Sequence, residues 1–192
     1  RSFPEINRRL GIASSVMNSL NRSVWRCRYL CRRTKIRLFR ALVLPVLLYG
    51  SETWSIGVHE QGRLNSFSTR ALRRIMGYRW DNFVPNDRLL RETGIDHQVT
   101  CMIRQRQLRL FGHVARFPES DPVSRVISKK VSRDWRRPRG RPPVSWLQRI
   151  DSYCRDLSLP GRAYAWHSAR RDPPGWRQTA TAAMRHPGVC SH

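Results

Sequence analysis

Acidic side chains are scarce in this chain: thirteen Asp and Glu stand against thirty-seven Lys and Arg in 192 residues, for a net charge of +24. No two of the thirteen form a close pair with the spacing of a metal site, and no PD-x-K-like cluster occurs. Catalysis resting on paired carboxylates is therefore not expected here. The five cysteines are odd in number and follow no framework spacing, with Cys27 and Cys31 one helical turn apart and Cys101, Cys154 and Cys190 scattered. That argues against a disulfide scaffold and fits a reducing intracellular setting, nuclear or cytoplasmic. Paired Cys and His clusters are also missing, so no metal site and no cofactor are expected. The longest apolar run is broken by charge and proline and falls short of a bilayer of ~30 Å, so no membrane partner is expected. Strand-like alternation is nearly absent and no phrase repeats at a fixed period, which leaves a chain that is all-α or mostly α.

The basic surplus is almost entirely arginine, because only Lys35, Lys129 and Lys130 are lysines. A guanidinium is a planar donor that grips phosphate with two hydrogen bonds and stacks on bases, so an arginine-dominated surplus points to nucleic acid. GC-rich coding would enrich arginine in the same way with no partner implied. The 40% hydrophobic content and seven Trp are enough for a real core. The chain opens at Arg1 without an apolar leader and in mid-pattern, and is expected to be a piece of a longer reading frame.

The stretch KIRLFRALVLPVLLYGSETW, from Lys35 to Trp54, is the apolar centre. It reads as a helix capped by Thr34, with Lys35 and Arg37 near its start, apolar all round and buried later on, kinked at Pro45 and closed by Gly50, with two elements meeting at Pro45 as the alternative. Before it, 1–33 reads as helix, with Ile6, Leu10, Ala13, Val16, Met17 and Leu20 at helical spacing. After it comes the clearest amphipathic helix. Leu64, Phe67, Ala71, Leu72, Ile75 and Met76 form the stripe, Arg63, Arg70, Arg73 and Arg74 lie off it, and Gly77 closes it. Such arginines are equally consistent with a plain solvated face.

Asn86 is expected to cap a short helix ended by Gly94, and Asp96 a longer one stopped by Pro118. The apolar side of the longer helix is Val99, Met102, Ile103, Leu110, Phe111 and Val114, with Arg104, Arg106, Arg109 and Arg116 around the rest. Gly112 in its interior predicts close approach by another backbone or a phosphate. His113 has no nucleophile or carboxylate beside it, so a structural or phosphate-contacting role fits it better than catalysis. A helix over 120–131 starts at Asp121 and Pro122 and ends in Lys129 and Lys130.

Ser132 to Pro143, SRDWRRPRGRPP, holds five arginines, three prolines and a glycine and reads as an extended basic linker. Its core, Pro138 to Pro142, resembles an AT-hook, in which an extended arginine pair lies along an A·T minor groove; a phosphate-gripping or an idle linker fits the same residues. Ser145 then caps a helix with Trp146, Leu147, Ile150, Cys154 and Leu157 inward, and two short, marginal helices are expected beyond Pro160. The residues after Arg185 are expected to be disordered. The regions are thus 1–94, 95–131, the linker 132–143, and a short helical C-terminal segment 144–192, together an irregular helical bundle.

Four phrases in order, LLYGSETW, RALRRIMG, RQRQLRLFGHVAR and RGRPPVSWLQRI, with WRQTATAAM more loosely near the end, resemble the tail of non-LTR, LINE-type retrotransposon reverse transcriptases. The resemblance covers Ile6 to about Leu157. It implies the thumb and the segment after it, following a palm whose YxDD-like aspartate pair is missing here. Such a region clamps a template-primer duplex of RNA and DNA by phosphate contacts, beside the upstream reverse transcriptase palm, with no catalytic residue and no small-molecule substrate of its own. The candidate contacts are Lys35, Arg37, Arg70, Arg73, Arg74, Arg104, Arg106, Arg109, Lys129, Lys130, Arg136, Arg137, Arg139 and Arg141. The alternative is a freestanding, retroelement-derived DNA-binding protein that uses the AT-hook-like linker.

Overall fold

A computed structural model of the chain describes residues 2–95, 97–128 and 145–184. These hold ten α-helices and no strand, so the mostly α expectation is met. Among the described residues no helix is long and apolar enough to cross a membrane, and Cys27, Cys31, Cys101 and Cys154 form no disulfide. The Asp96 cap, the linker at 132–143 and the chain end after Arg185 lie outside the described residues.

The chain divides into two compact units, Ser2–Ser51 with Ile56–Ile103, and Glu52–Ser55 with the chain from Arg104 onward. The boundary between Ile103 and Arg104 falls inside a continuous helix.

In the first unit α1 (Phe3–Ser19) buries Ile6, Leu10, Ala13 and Met17 against α3 (Leu44–Leu47) and α4 (Val58–Met76). The first helix stops well before residue 33. A wide π-type turn at Asn21–Trp25 follows, and the Trp25 indole donates to the Met17 carbonyl at 2.8 Å, folding the chain back on itself.

The apolar centre forms α2 (Arg32–Leu38), a π turn over Phe39–Val43, and α3. Its cap is Cys31 rather than Thr34, which lies inside α2. The wide turn sits directly before Pro45, where an α ladder would require a donor that the proline nitrogen lacks, so the expected kink is realised as a π turn. The run is not buried all round. Phe39, Val43, Leu44, Leu47 and Leu48 face inward, while Leu42 (42% exposed) and Tyr49 (64%) stay in solvent. Gly50 takes the left-handed conformation expected of it (φ +69°).

α4 buries Leu64, Phe67, Ala71, Leu72, Ile75 and Met76, the stripe read from the sequence, and Gly77 ends it at φ +76°. α5 (Asn86–Thr93) begins at Asn86 itself, after an extended Pro85, and ends at Gly94. Asn86 is therefore not the cap; its side-chain oxygen serves Arg73 instead.

α6 (Val99–Ala115) buries Val99, Ile103, Phe111 and Val114 as expected, together with Cys101, Arg104, Gln107, Leu108 and Ala115. α7 (Pro122–Ser128) starts as read, with Asp121 Oδ1 accepting from the Val123 amide at 2.8 Å. α8 (Trp146–Asp156) has a complete capping box between Ser145 and Gln148. α9 (Arg162–Arg171) packs against it and α10 (Pro173–Ala182) against α9, the latter capped by Asp172, which accepts from the Gly175 amide.

These last helices are not marginal. Ala165, Ala169, Trp176, Ala180 and Ala183 join Leu108, Phe111 and Ile150 in one buried cluster. Phe111 is ringed by Trp146, Trp166 and Trp176 at centroid separations of 6.4, 5.5 and 5.8 Å. The close approach expected at Gly112 exists, but the visitor is an indole rather than a backbone or a phosphate. A Cβ there would lie 2.2 Å from Trp176, whose Nε1 donates to the Leu108 carbonyl at 2.8 Å.

Candidate nucleic-acid interface

Three sets of arginines gather on the described surface, two in the first unit and one in the second. The largest lines an open groove of about 940 Å³ between α2 and α5. Arg32, Arg33, Arg37 and Arg40 enter it from the α2 side, Arg88 and Arg91 from α5. Glu92, the only acid among the described residues that line the groove, accepts from Arg88 Nε at 2.7 Å and from the Tyr78 hydroxyl. Those bonds, the phenol's first, hold the Glu92 carboxyl below the usual carboxylate range, while the same carboxylate pushes the Tyr78 phenol up. Arg40 donates to the Gly94 carbonyl at the end of α5 and so ties the two walls together. The guanidiniums of Arg33, Arg37 and Arg91 are exposed and make no hydrogen bond or ion pair among the described residues.

The second set follows a groove between α1 and α4, where the small residues Gly11, Ser14, Gly62 and Ser66 leave room. Arg63 donates to Asn7, Arg74 to Asn18 Oδ1 at 2.9 Å, and Arg70 to the Ser66 carbonyl at 3.2 Å. In the second unit, Arg109 of α6, Arg116 just past its end and Arg177 of α10 line a pocket with Trp176. Arg116 is partly committed there, donating to the Gly112 carbonyl at 2.7 Å.

The contacts expected from sequence scatter over this arrangement. Arg37 belongs to the α2–α5 groove, Arg70 and Arg74 to the α1–α4 groove, and Arg109 to the Trp176 cluster. Arg106 is exposed on α6. Lys35 is half-buried, and its ammonium donates to the Trp25 carbonyl at 2.8 Å, closing the loop before α2. Arg73 turns away from Arg70 and Arg74 and donates to the Val84 carbonyl at 2.6 Å and to Asn86 Oδ1 at 2.9 Å, holding the segment after α4.

Arg104 is not at the surface at all. Its side chain is fully buried, pairs with Asp156 at 3.3 Å and lies 4.8 Å from the centroid of the Tyr153 ring, so no phosphate can reach it. Beside it the Tyr153 hydroxyl donates to Gln107, and Gln107 donates to the Trp54 carbonyl. Lys129, Lys130, Arg136, Arg137, Arg139 and Arg141 lie outside the described residues.

Sequence reading passed over Arg32, Arg33, Arg40, Arg88 and Arg91. Their only local signal is spacing: 33, 37 and 40 share one side of a helix, and 88 and 91 share another. Among the described residues no group of three or more His, Cys, Asp or Glu side chains comes together.

Comparison with known proteins brings in a Caenorhabditis elegans protein, 24% identical over 178 residues that cover 91% of this chain and 63% of the relative. The relative is named as transposon-derived. That likeness fits a transposon origin, and the chain spans about 63% of the length of the curated relative it matches. No family model matches the chain, and neither does any solved structure.

Proposed function

We propose that this chain is a nucleic-acid-binding part of a retrotransposon-derived reverse transcriptase, holding template-primer duplex by phosphate contacts and carrying no polymerase centre of its own. The observation that carries this reading is the gathering of exposed guanidiniums in grooves of a chain of net charge +24, Arg70 and Arg74 along α1 and α4 and Arg33, Arg37 and Arg91 between α2 and α5. Leaving like charges together with few carboxylates costs folding energy, and a polyanion supplies the missing counter-charge. The four ordered phrases that resemble the LINE-type tail, and the likeness to a transposon-derived relative, support the same source. Its place of action would be intracellular, in the nucleus or the cytoplasm, next to a palm encoded upstream.

The experiment is a titration of the purified chain with labelled RNA–DNA hybrid and DNA duplex at several salt concentrations. Each phosphate neutralised releases counterions, so holding six or more loses roughly a thousandfold in affinity between about 50 and 200 mM salt. Little sequence preference is expected, and no primer extension with Mg²⁺ or Mn²⁺. A flat salt response would sink the phosphate-clamp reading, and polymerisation by the pure chain would overturn the non-catalytic assignment. Selective binding to A·T-rich duplex, lost on changing Arg139 and Arg141 to alanine, would favour the freestanding AT-hook alternative instead.

A further inference from the structure

We propose that the α2–α5 groove takes a single-stranded segment of nucleic acid, its phosphates on Arg33, Arg37 and Arg91 and a base against Tyr78. This rests on the nucleic-acid reading above and adds to it a site and a strand state.

Shape is the first reason. The cations stand on both walls of a concave groove, Arg33 and Arg37 one turn apart on α2 and Arg91 opposite on α5. At 1.5 Å per residue α2 and α5 are about 10 and 12 Å long, so the walls enclose a few nucleotides only. A duplex shows its phosphates on a convex surface and would meet one wall at a time.

Chemistry is the second. Ile36, Met76 and the half-buried Tyr78 give the groove apolar and aromatic lining between its charged walls. Duplex bases are already stacked on one another and have no use for such a lining, whereas an unpaired base gains from an aromatic face. Tyr78 is also held in place, since its hydroxyl donates to Glu92, which Arg88 fixes in turn. The Arg40 bond to Gly94 braces the walls before any ligand arrives. Such bracing lowers the ordering cost of binding.

Fluorescence anisotropy of the full chain with labelled oligothymidine of about ten nucleotides, and with a duplex of the same length, tests this at several salt concentrations. The triple variant Arg33→Ala, Arg37→Ala, Arg91→Ala should weaken single-strand binding by about tenfold or more and make its salt slope shallower by about two units, about 0.7 for each phosphate. Duplex affinity should stay within about twofold. Tyr78→Leu should weaken single-strand binding about tenfold with the slope unchanged, while Tyr78→Phe, which keeps the ring, should bind nearly as the parent does. Circular-dichroism melting of each variant should match the parent, which rules out loss by unfolding.

If the triple variant binds single strands like the parent, the groove is not the site. If it loses duplex and single strand equally, the strand state is wrong, and if Tyr78→Phe is as damaging as Tyr78→Leu, the stacking role is wrong. A parent chain that binds neither nucleic acid at low salt overturns the broader reading instead, so the two failures are distinct.

Discussion

At Gly112 two opposing terms can be weighed at a single residue. Alanine is favoured over glycine in a helix by about 1 kcal/mol. Here its methyl would lie 2.2 Å from two atoms of Trp176, which is pinned by its bond to the Leu108 carbonyl and packed against Phe111. The indole can retreat only by giving up that bond and that packing, and overpacking of this kind costs about 1–3 kcal/mol. Gly112→Ala is therefore expected to destabilise the full chain in urea denaturation despite the propensity gain. Combined with Trp176→Leu it should cost less than the sum of the two single changes, because either change relieves the same clash. A higher melting temperature for Gly112→Ala alone would refute this account. The glycine was visible in the sequence as a demand for space, but the occupant was not, since Trp176 belongs to a distant helix. Arg104 was misread for the same reason. Its burial follows from Asp156 and Tyr153 on α8, and no neighbour in sequence announces them.

At the scale of one element, α4 separates packing, bracing and exposed charge along nineteen residues. Leu72 is fully buried, and Leu72→Ala should cost roughly 2–5 kcal/mol through the cavity it leaves. Arg73 donates two charge-assisted hydrogen bonds to the segment that follows, and Arg73→Ala should cost about 1–2 kcal/mol by releasing it. Arg70 and Arg74 are exposed, with single bonds to the Ser66 carbonyl and to Asn18, so changing both to alanine should move stability by less than about 0.5 kcal/mol. That pair should instead weaken duplex binding and make its salt slope shallower by about one to two units. Thermal melting and titration at two salt concentrations distinguish the three cases. Should the Arg70 and Arg74 double change leave binding untouched, these arginines are a solvated face. The stripe and the Gly77 terminus were legible because they depend on residues a turn or two away. Arg73 was grouped with Arg74 because they are adjacent, yet neighbours in a helix point about 100° apart and only one of them reaches Val84 and Asn86.

Across the whole molecule the surplus of +24 acts on folding as well as on binding. Like charges repel over a distance set by ionic strength, about 30 Å at 0.01 M and about 8 Å at 0.15 M salt. The melting temperature of the isolated chain is expected to rise over that interval as self-repulsion is screened. A flat or falling melting temperature would mean that the arginines are already balanced within the fold. Charge, helical periodicity and the helix stops at Gly77 and Gly94 were all readable along the chain, as were the starts at Asp121 and Ser145, because each is set by composition or by atoms within a few residues. Which arginines are left for a partner was not readable. Arg40 is tied to Gly94, Arg104 is buried beside Asp156, and Arg33, Arg37 and Arg91 meet across one groove because α2 and α5 both pack on α4. Such pairings depend on which distant side chain arrives at hydrogen-bonding distance, and that is settled when the helices dock.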